Sequence, residues 1–167
     1  FNAILFVPKT NPESMGFMKD RPGVDLYSRK VLIQKENKDI FPEYFRFVKG
    51  VIDSEEIPLN ISRETVQNNL KIRKIRNYLL KKFIGHLEGI KQKDKEQYRR
   101  IWDNFQKNFK EGIIKDFEFR EKLAELLLFH SSKAEKEPTD LAGYLERMNA
   151  DQKEIFHVSG YDVNNDC

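Results

Sequence analysis

The sequence predicts a mixed α/β fold of the α+β kind, with a larger αβ region, a helical connector and a smaller αβ region. Three observations carry this. The short runs AILFV and VDLYSRKVLIQ in the first part of the chain are rich in β-branched and aromatic residues. Apolar residues recur at helical spacing between residues 62 and 113. Beyond residue 119, two further helical stretches and the apolar ending EIFHVSG repeat the pattern on a smaller scale. The resulting boundaries are 1–88, 89–118 and 119–167.

AILFV (3–7), stopped by Pro8, reads as a buried strand. Residues 8–23 carry three Pro and two Gly and read as a loop. Met15, Phe17 and Met18 place apolar side chains in it, either folded back on the core or exposed as an adaptable sticky segment. VDLYSRKVLIQ (24–34) reads as strand, and FPEYFRFVKG (41–50) as a short helix with Pro42 in its first turn and Gly50 at its end. VID (51–53) returns to extended structure. A long helix then runs from Ser62 to about Leu87, burying Val66, Leu70, Ile75, Leu79, Phe83 and Leu87. Asn60 or Ser62 can cap it, and Glu64 suits its positive end.

GIKQKDKEQ (89–97) interrupts the pattern, and Asp94 and Gln97 have capping-box spacing. Tyr98, Trp102, Phe105, Phe109 and Ile113 form an aromatic-rich stripe expected in the core. A helix over 119–129, a polar loop over 130–138, a helix capped by Thr139 and a closing strand over 154–160 complete the reading.

Composition bounds the function. Of 167 residues 39% are apolar and 13 are Phe, enough for a real core. The 30 basic and 27 acidic residues leave a net charge of +3, too balanced to indicate a nucleic-acid binder by bulk charge. Cys167 is the single cysteine, which excludes a disulfide framework and allows a reducing compartment. No apolar run approaches the roughly 18 residues of a membrane span. FNAILFVP reads as a strand already under way and lacks an initiator Met, so a piece of a larger protein is expected.

Catalytic constellations are sparse. His86, His130 and His157 stand far apart, without partners at metal spacing. No glycine-rich phosphate loop and no nucleophile motif is present. Asp53, Glu55 and Glu56 cluster as a solvated turn would. The chain alone is therefore expected not to be an enzyme. KIRKIRNYLLKK (71–82) carries six basic residues and no acid. Such a helix is usually a solvated face, and no stacking aromatics accompany it. No nucleic-acid or membrane partner is expected. The alternative is a non-catalytic interaction or nucleic-acid-binding module using helix 62–87.

GVIDSEEIPLNISRETVQ (50–67) closely resembles the signature of the middle domain of heat shock protein 90 chaperones, G-V-V-D-S-x-D-L-P-L-N-x-S-R-E-x-L-Q. AILFVP, FPEYFRFVKG, IRKIRNYLLKK and YLERMNADQKEIFHVSG are similar to further family blocks in the same order, over nearly the whole chain. LYSRKVLIQ (26–34) resembles the mitochondrial branch, the tumour necrosis factor receptor-associated chaperones, and so implies a mitochondrial location, the alternative being the cytoplasm or another organelle.

The resemblance implies an N-terminally truncated middle-domain fold, with a larger αβα layer, a helical connector and a smaller αβα layer. It implies a split ATPase, in which ATP with Mg²⁺ is held mainly by a separate N-terminal domain and this fragment alone holds no cofactor. Arg63 would reach the γ-phosphate, and Gln67 would support the same loop. Arg suits this role because its charge is permanent and its fork offers two donors, and a helix mouth adds a positive dipole end. A resting pair of Arg63 with Asp53 or Glu55 is compatible with it.

Met15, Phe17, Met18 and Leu32 are the implied client-contacting positions. The family's basic-Ala-Pro-aromatic run is here Lys9-Thr10-Asn11-Pro12-Glu13, and Leu32 stands where many members have Phe. Implied partners are the chain's own nucleotide-binding and C-terminal dimerisation domains, clients and cochaperones. The full-length protein would be a homodimer and the fragment a monomer.

Overall fold

The computed structural model describes residues 1–11, 13, 16, 23–58 and 70–158. Among these, four strands form one sheet in the order β1-β4-β2-β3. They are β1 (Asn2–Phe6), β2 (Gly23–Ser28), β3 (Val31–Gln34) and β4 (Lys49–Asp53). β4 is antiparallel to β1 and parallel to β2. The parallel step is possible because antiparallel β3 carries the chain back toward the start of β2, and residues 35–48, with a single 3-10 turn at Glu43–Phe45, then cross over β2 to reach β4. The helix expected over 41–50 is thus one turn long, and Gly50 lies inside β4 rather than at a helix end.

Gly50 has φ +148, and a Cβ there would lie 2.0 Å from the Ile4 carbonyl oxygen of β1. That atom belongs to the paired backbone and cannot turn aside. Gly50→Ala is expected to cost roughly 1–3 kcal/mol, read as a lower urea midpoint of the purified chain. An unchanged midpoint would show that β1 yields without cost.

The stretch 24–34 is two strands, not one. Arg29 and Lys30 both have positive φ, 48 and 65, and close a hairpin between β2 and β3. No glycine marks this turn, so the sequence reads through it. The expected strand at 3–7 exists, but it is an edge strand. Ile4 and Phe6 are exposed, and only Leu5 and Val7 of this stretch pack partly against the core.

The helical part is more continuous than expected. α1 (Leu70–Lys93) passes through Gly85 and Gly89 and stops only at Asp94. Each glycine costs about 1 kcal/mol relative to Ala, which burial of Ile84, Leu87 and the half-buried Ile90 offsets. Ile72, Ile75, Leu79, Leu80, Ile84 and Leu87 form its buried face. Leu70 is 70% exposed, against expectation. The five-residue step to Ile75 turns it roughly 140° away from that residue. The expected helix start, with Asn60, Ser62 and Val66, lies outside the described residues.

α2 (Lys95–Lys115) begins at Asp94, whose carboxylate accepts from the Gln97 N–H at 2.8 Å, as the capping spacing indicates. Its stripe is buried through Tyr98, Trp102, Phe105 and Phe109, with Ile113 half-buried. Phe47 stacks on Phe105 at 4.2 Å between centroids. Phe45 meets Phe41, Tyr44, Phe47, Phe83 and Phe109. One aromatic cluster thus joins the crossover to both long helices.

α3 is only Arg120–Glu125. The expected polar loop is instead a hairpin of β5 (Phe129–Ser131) and β6 (Ala134–Thr139), a pattern with too few apolar residues to announce strands. α4 (Leu141–Glu146) is capped by Asp140, not Thr139; the Asp140 carboxylate accepts from the Gly143 N–H at 2.8 Å. The same carboxylate meets Lys91 at 2.6 Å, fastening this part to the end of α1. Residues 154–158 form no strand, and the last two residues of that expected element lie outside the described residues.

Candidate active site

The signature segment leaves the sheet at the end of β4. Asp53 accepts from the Lys30 N–H at 3.2 Å across the β2–β3 turn. Ser54 is buried, and its N–H donates to the Tyr27 carbonyl at 3.1 Å. The Ile57 N–H returns to the Ser54 carbonyl at 3.3 Å, closing a turn that leaves Glu55 and Glu56 exposed. Buried Ser28, the last residue of β2, donates from its hydroxyl to the Ile57 carbonyl at 2.5 Å. Strand alternation aims Val24, Leu26 and Ser28 at one face, so the hydroxyl sits where a third apolar residue would be expected. The entry to the signature loop is thereby fixed to the sheet at two successive points.

Arg63 and Gln67 lie outside the described residues. Beyond them the described part of α1 starts at Leu70, with Lys71, Arg73 and Lys74 exposed on its first turns. These donors are all cations, which fits a phosphate group rather than a metal ion. Further along, Arg76 turns inward to Asp116 at 3.4 Å, and Lys82 lies over the Tyr78 ring at 5.7 Å. Not every charge of the basic run is therefore offered to solvent.

Asp116 is a junction that the sequence does not reveal. Its carboxylate accepts from the Tyr44 hydroxyl at 2.8 Å and from the N–H groups of Glu118 and Phe119 at 3.1 Å each. Burial first, and then this hydrogen bond, push the Tyr44 phenol far above its ordinary value. Asn37 is similarly hidden: it is fully buried, and its side chain accepts from the N–H groups of Asp39 and Ile40 at 2.9 Å, shaping the crossover.

Of the implied client contacts, Met15, Phe17 and Met18 lie outside the described residues. Leu32 stands on edge strand β3, 39% exposed, beside exposed Val31. The segment leading toward the methionines is anchored. Asn11 donates to the Asn104 carbonyl at 2.9 Å. Glu13 takes the Arg46 fork through Nε at 2.5 Å and Nη2 at 2.9 Å. Arg46 is nearly buried and also reaches Glu111 at 2.7 Å. His86, His130 and His157 are exposed, and the described residues contain no group of three or more metal-capable side chains.

For Glu111, burial raises the pKa, but hydrogen bonds from Lys115 and Arg46 outweigh it and hold the carboxyl below its ordinary value. A depressed folded value means stability that is present above the unfolded value and lost as pH falls through the folded one. Glu111→Gln is expected to cost about 1–2 kcal/mol at neutral pH, and the gap to wild type should close in acid. Urea midpoints across that range check it; a gap independent of pH would mean the carboxylate charge is not what stabilises.

The sequence profile of the Hsp90 protein family matches residues 1–165. The chain is 44% identical over 159 residues to the chaperone protein HtpG of Desulfotalea psychrophila, covering 95% of this chain and 26% of that protein. It is 41% identical over 161 residues to a mitochondrial TNF receptor-associated protein 1 homolog of Dictyostelium discoideum, covering 94% of this chain and 23% of that one. The chain thus spans about a quarter of the length of these relatives. Its fold matches the middle domain of a Plasmodium falciparum heat shock protein with a TM-score of 0.80 at 27% identity, over 98% of this chain and 62% of that one. The chain belongs to the Hsp90 chaperone family, and its fold is that of the family's middle domain.

Proposed function

We propose that this chain is the part of an ATP-dependent chaperone that completes a split ATPase. Arg63 directs its two donors at the γ-phosphate of ATP held, with Mg²⁺, mainly by a separate N-terminal domain, and Gln67 orders the same loop. Lys71, Arg73 and Lys74 keep the surroundings positive. The observation that carries this reading is the join at Ser54–Ile57. It fixes the start of the signature to the sheet, while the buried face of α1 fixes the chain after it. A donor carried between two such anchors arrives with its domain and loses little freedom on meeting phosphate.

In this reading the regions 1–88, 89–118 and 119–167 are a catalytic-loop subdomain, a connector and a smaller subdomain. Clients contact Met15, Phe17, Met18 and Leu32. The chain works beside its own N-terminal and C-terminal domains in a homodimer, and the isolated fragment is a monomer. The mitochondrial location rests on LYSRKVLIQ, and a mitochondrial protein stands among the relatives beside bacterial HtpG proteins.

The purified 167-residue chain is expected to release no phosphate from ATP above contaminant controls, while the full-length protein turns over. In the full-length protein Gln67→Ala is expected to slow turnover several-fold, on the order of 1 kcal/mol of barrier. Phosphate release by the fragment, or full activity of Gln67→Ala, would overturn the split-site assignment.

A further inference from the structure

We propose that the cleft between β1, α1 and α2 is a docking site for an acidic peptide segment bearing bulky apolar anchors, supplied by another protein. The cleft encloses about 700 Å³. Phe83, Leu87 and Ile90 of α1 and Ile101 of α2 line its apolar interior, and Leu5, Val7 and Pro8 wall it from the sheet side. Phe83, Ile90 and Ile101 are only partly buried and pack directly on the aromatic core, so this apolar surface is continuous with the core and held rigidly by it.

The charged residues in the lining are Lys9, Lys82 and Arg100, with His86 and Gln97 beside them; among the described residues no carboxylate lines the cleft. An apolar interior with a cationic rim selects a ligand with the opposite layout, apolar anchors inside and acids outside. The cleft is partly open to solvent. An alkyl chain there would stay partly wetted, whereas a peptide can turn its anchors inward and its backbone outward. The interior is too apolar for a phosphate backbone, which excludes nucleic acid as the better fit. Among the described residues none of the signature lines the cleft, and Leu79 lies nine residues beyond Leu70 on α1, roughly 14 Å along the axis. The inference is therefore independent of what Arg63 does.

The test uses the full-length protein and a short fluorescein-labelled peptide with Leu and Phe at helical spacing and Glu between them. Fluorescence anisotropy is expected to rise saturably. The double substitution Lys82→Glu with Arg100→Glu is expected to weaken binding by about tenfold or more, because like charges then face each other across the rim. Lys9→Glu, at an exposed position in the cleft lining, should also weaken it while leaving the thermal midpoint near wild type. The same peptide with Lys in place of Glu should fail to bind. Equal binding of the Lys peptide, or indifference to the double substitution, overturns the proposal. So does binding by the 167-residue chain with none by the full-length protein, since the remainder of the polypeptide would then fill the cleft. Binding of phosphatidylserine vesicles in place of peptide likewise overturns it, in favour of a lipid surface.

Discussion

In the full-length protein Arg63→Ala is expected to lower ATP turnover at least tenfold, about 1.4 kcal/mol of transition-state stabilisation. Arginines lent to a γ-phosphate from a second domain contribute on the order of 10³–10⁵ in rate in other systems. A smaller factor is expected if domain closure, rather than chemistry, limits turnover. ATP affinity of the open protein should hardly change, because the arginine arrives only on closure. Arg63→Lys should restore little, since a single ammonium cannot reproduce the planar fork. Stability of the fragment should fall by less than about 1 kcal/mol, the scale of a surface ion pair with Asp53 or Glu55. Single-turnover hydrolysis beside thermal melting of the fragment separates the two roles. A fragment that melts many degrees lower while hydrolysis persists would make Arg63 a structural residue.

Phe45→Ala should unfold the chain more readily than any surface change, by about 3–5 kcal/mol. Phe45 is fully buried. Its ring meets those of Tyr44 at 4.7 Å, Phe83 at 5.1 Å, Phe47 at 5.7 Å, Phe109 at 6.2 Å and Phe41 at 6.3 Å between centroids. Its removal leaves a cavity bounded by the crossover and both long helices, elements whose other contacts hold them in place and limit collapse. Phe45→Leu keeps most of the volume and should recover more than half of the loss. Urea unfolding followed by Trp102 fluorescence reads both variants, because Trp102 is 3% exposed and stacks on Phe109. A loss below about 1 kcal/mol would mean that the neighbouring rings close the gap.

The parts of the fold legible in the sequence are those where burial alone sets the pattern. The α2 stripe and the Asp94–Gln97 cap announce themselves, because helical period and capping chemistry are local. The misread parts depend on groups distant in the chain. Gly50 looks like a helix terminator until Ile4 is placed against it. The Arg29–Lys30 turn carries positive φ without Gly or Asn, so no residue type betrays it. β5 and β6 hold too few apolar residues to alternate visibly. Of the candidate site, Arg63 is a reading of the signature alone and lies outside the described residues. Its frame was not legible: Ser28, Ser54 and Asp116 are ordinary polar residues in sequence, and only their burial and partners make them supports.

The single-residue join at Asp94 has a consequence for chain length. Helices of 24 and 21 residues meet there with no slack, since the Asp94 N–H still donates to Ile90 and its carboxylate already caps α2. Loss of one residue between Leu87 and Tyr98 must be taken out of a helix. It would turn Tyr98, Trp102, Phe105 and Phe109 together by about 100° away from the rings they meet. The Asp94 join works as a ruler that keeps two apolar faces in phase.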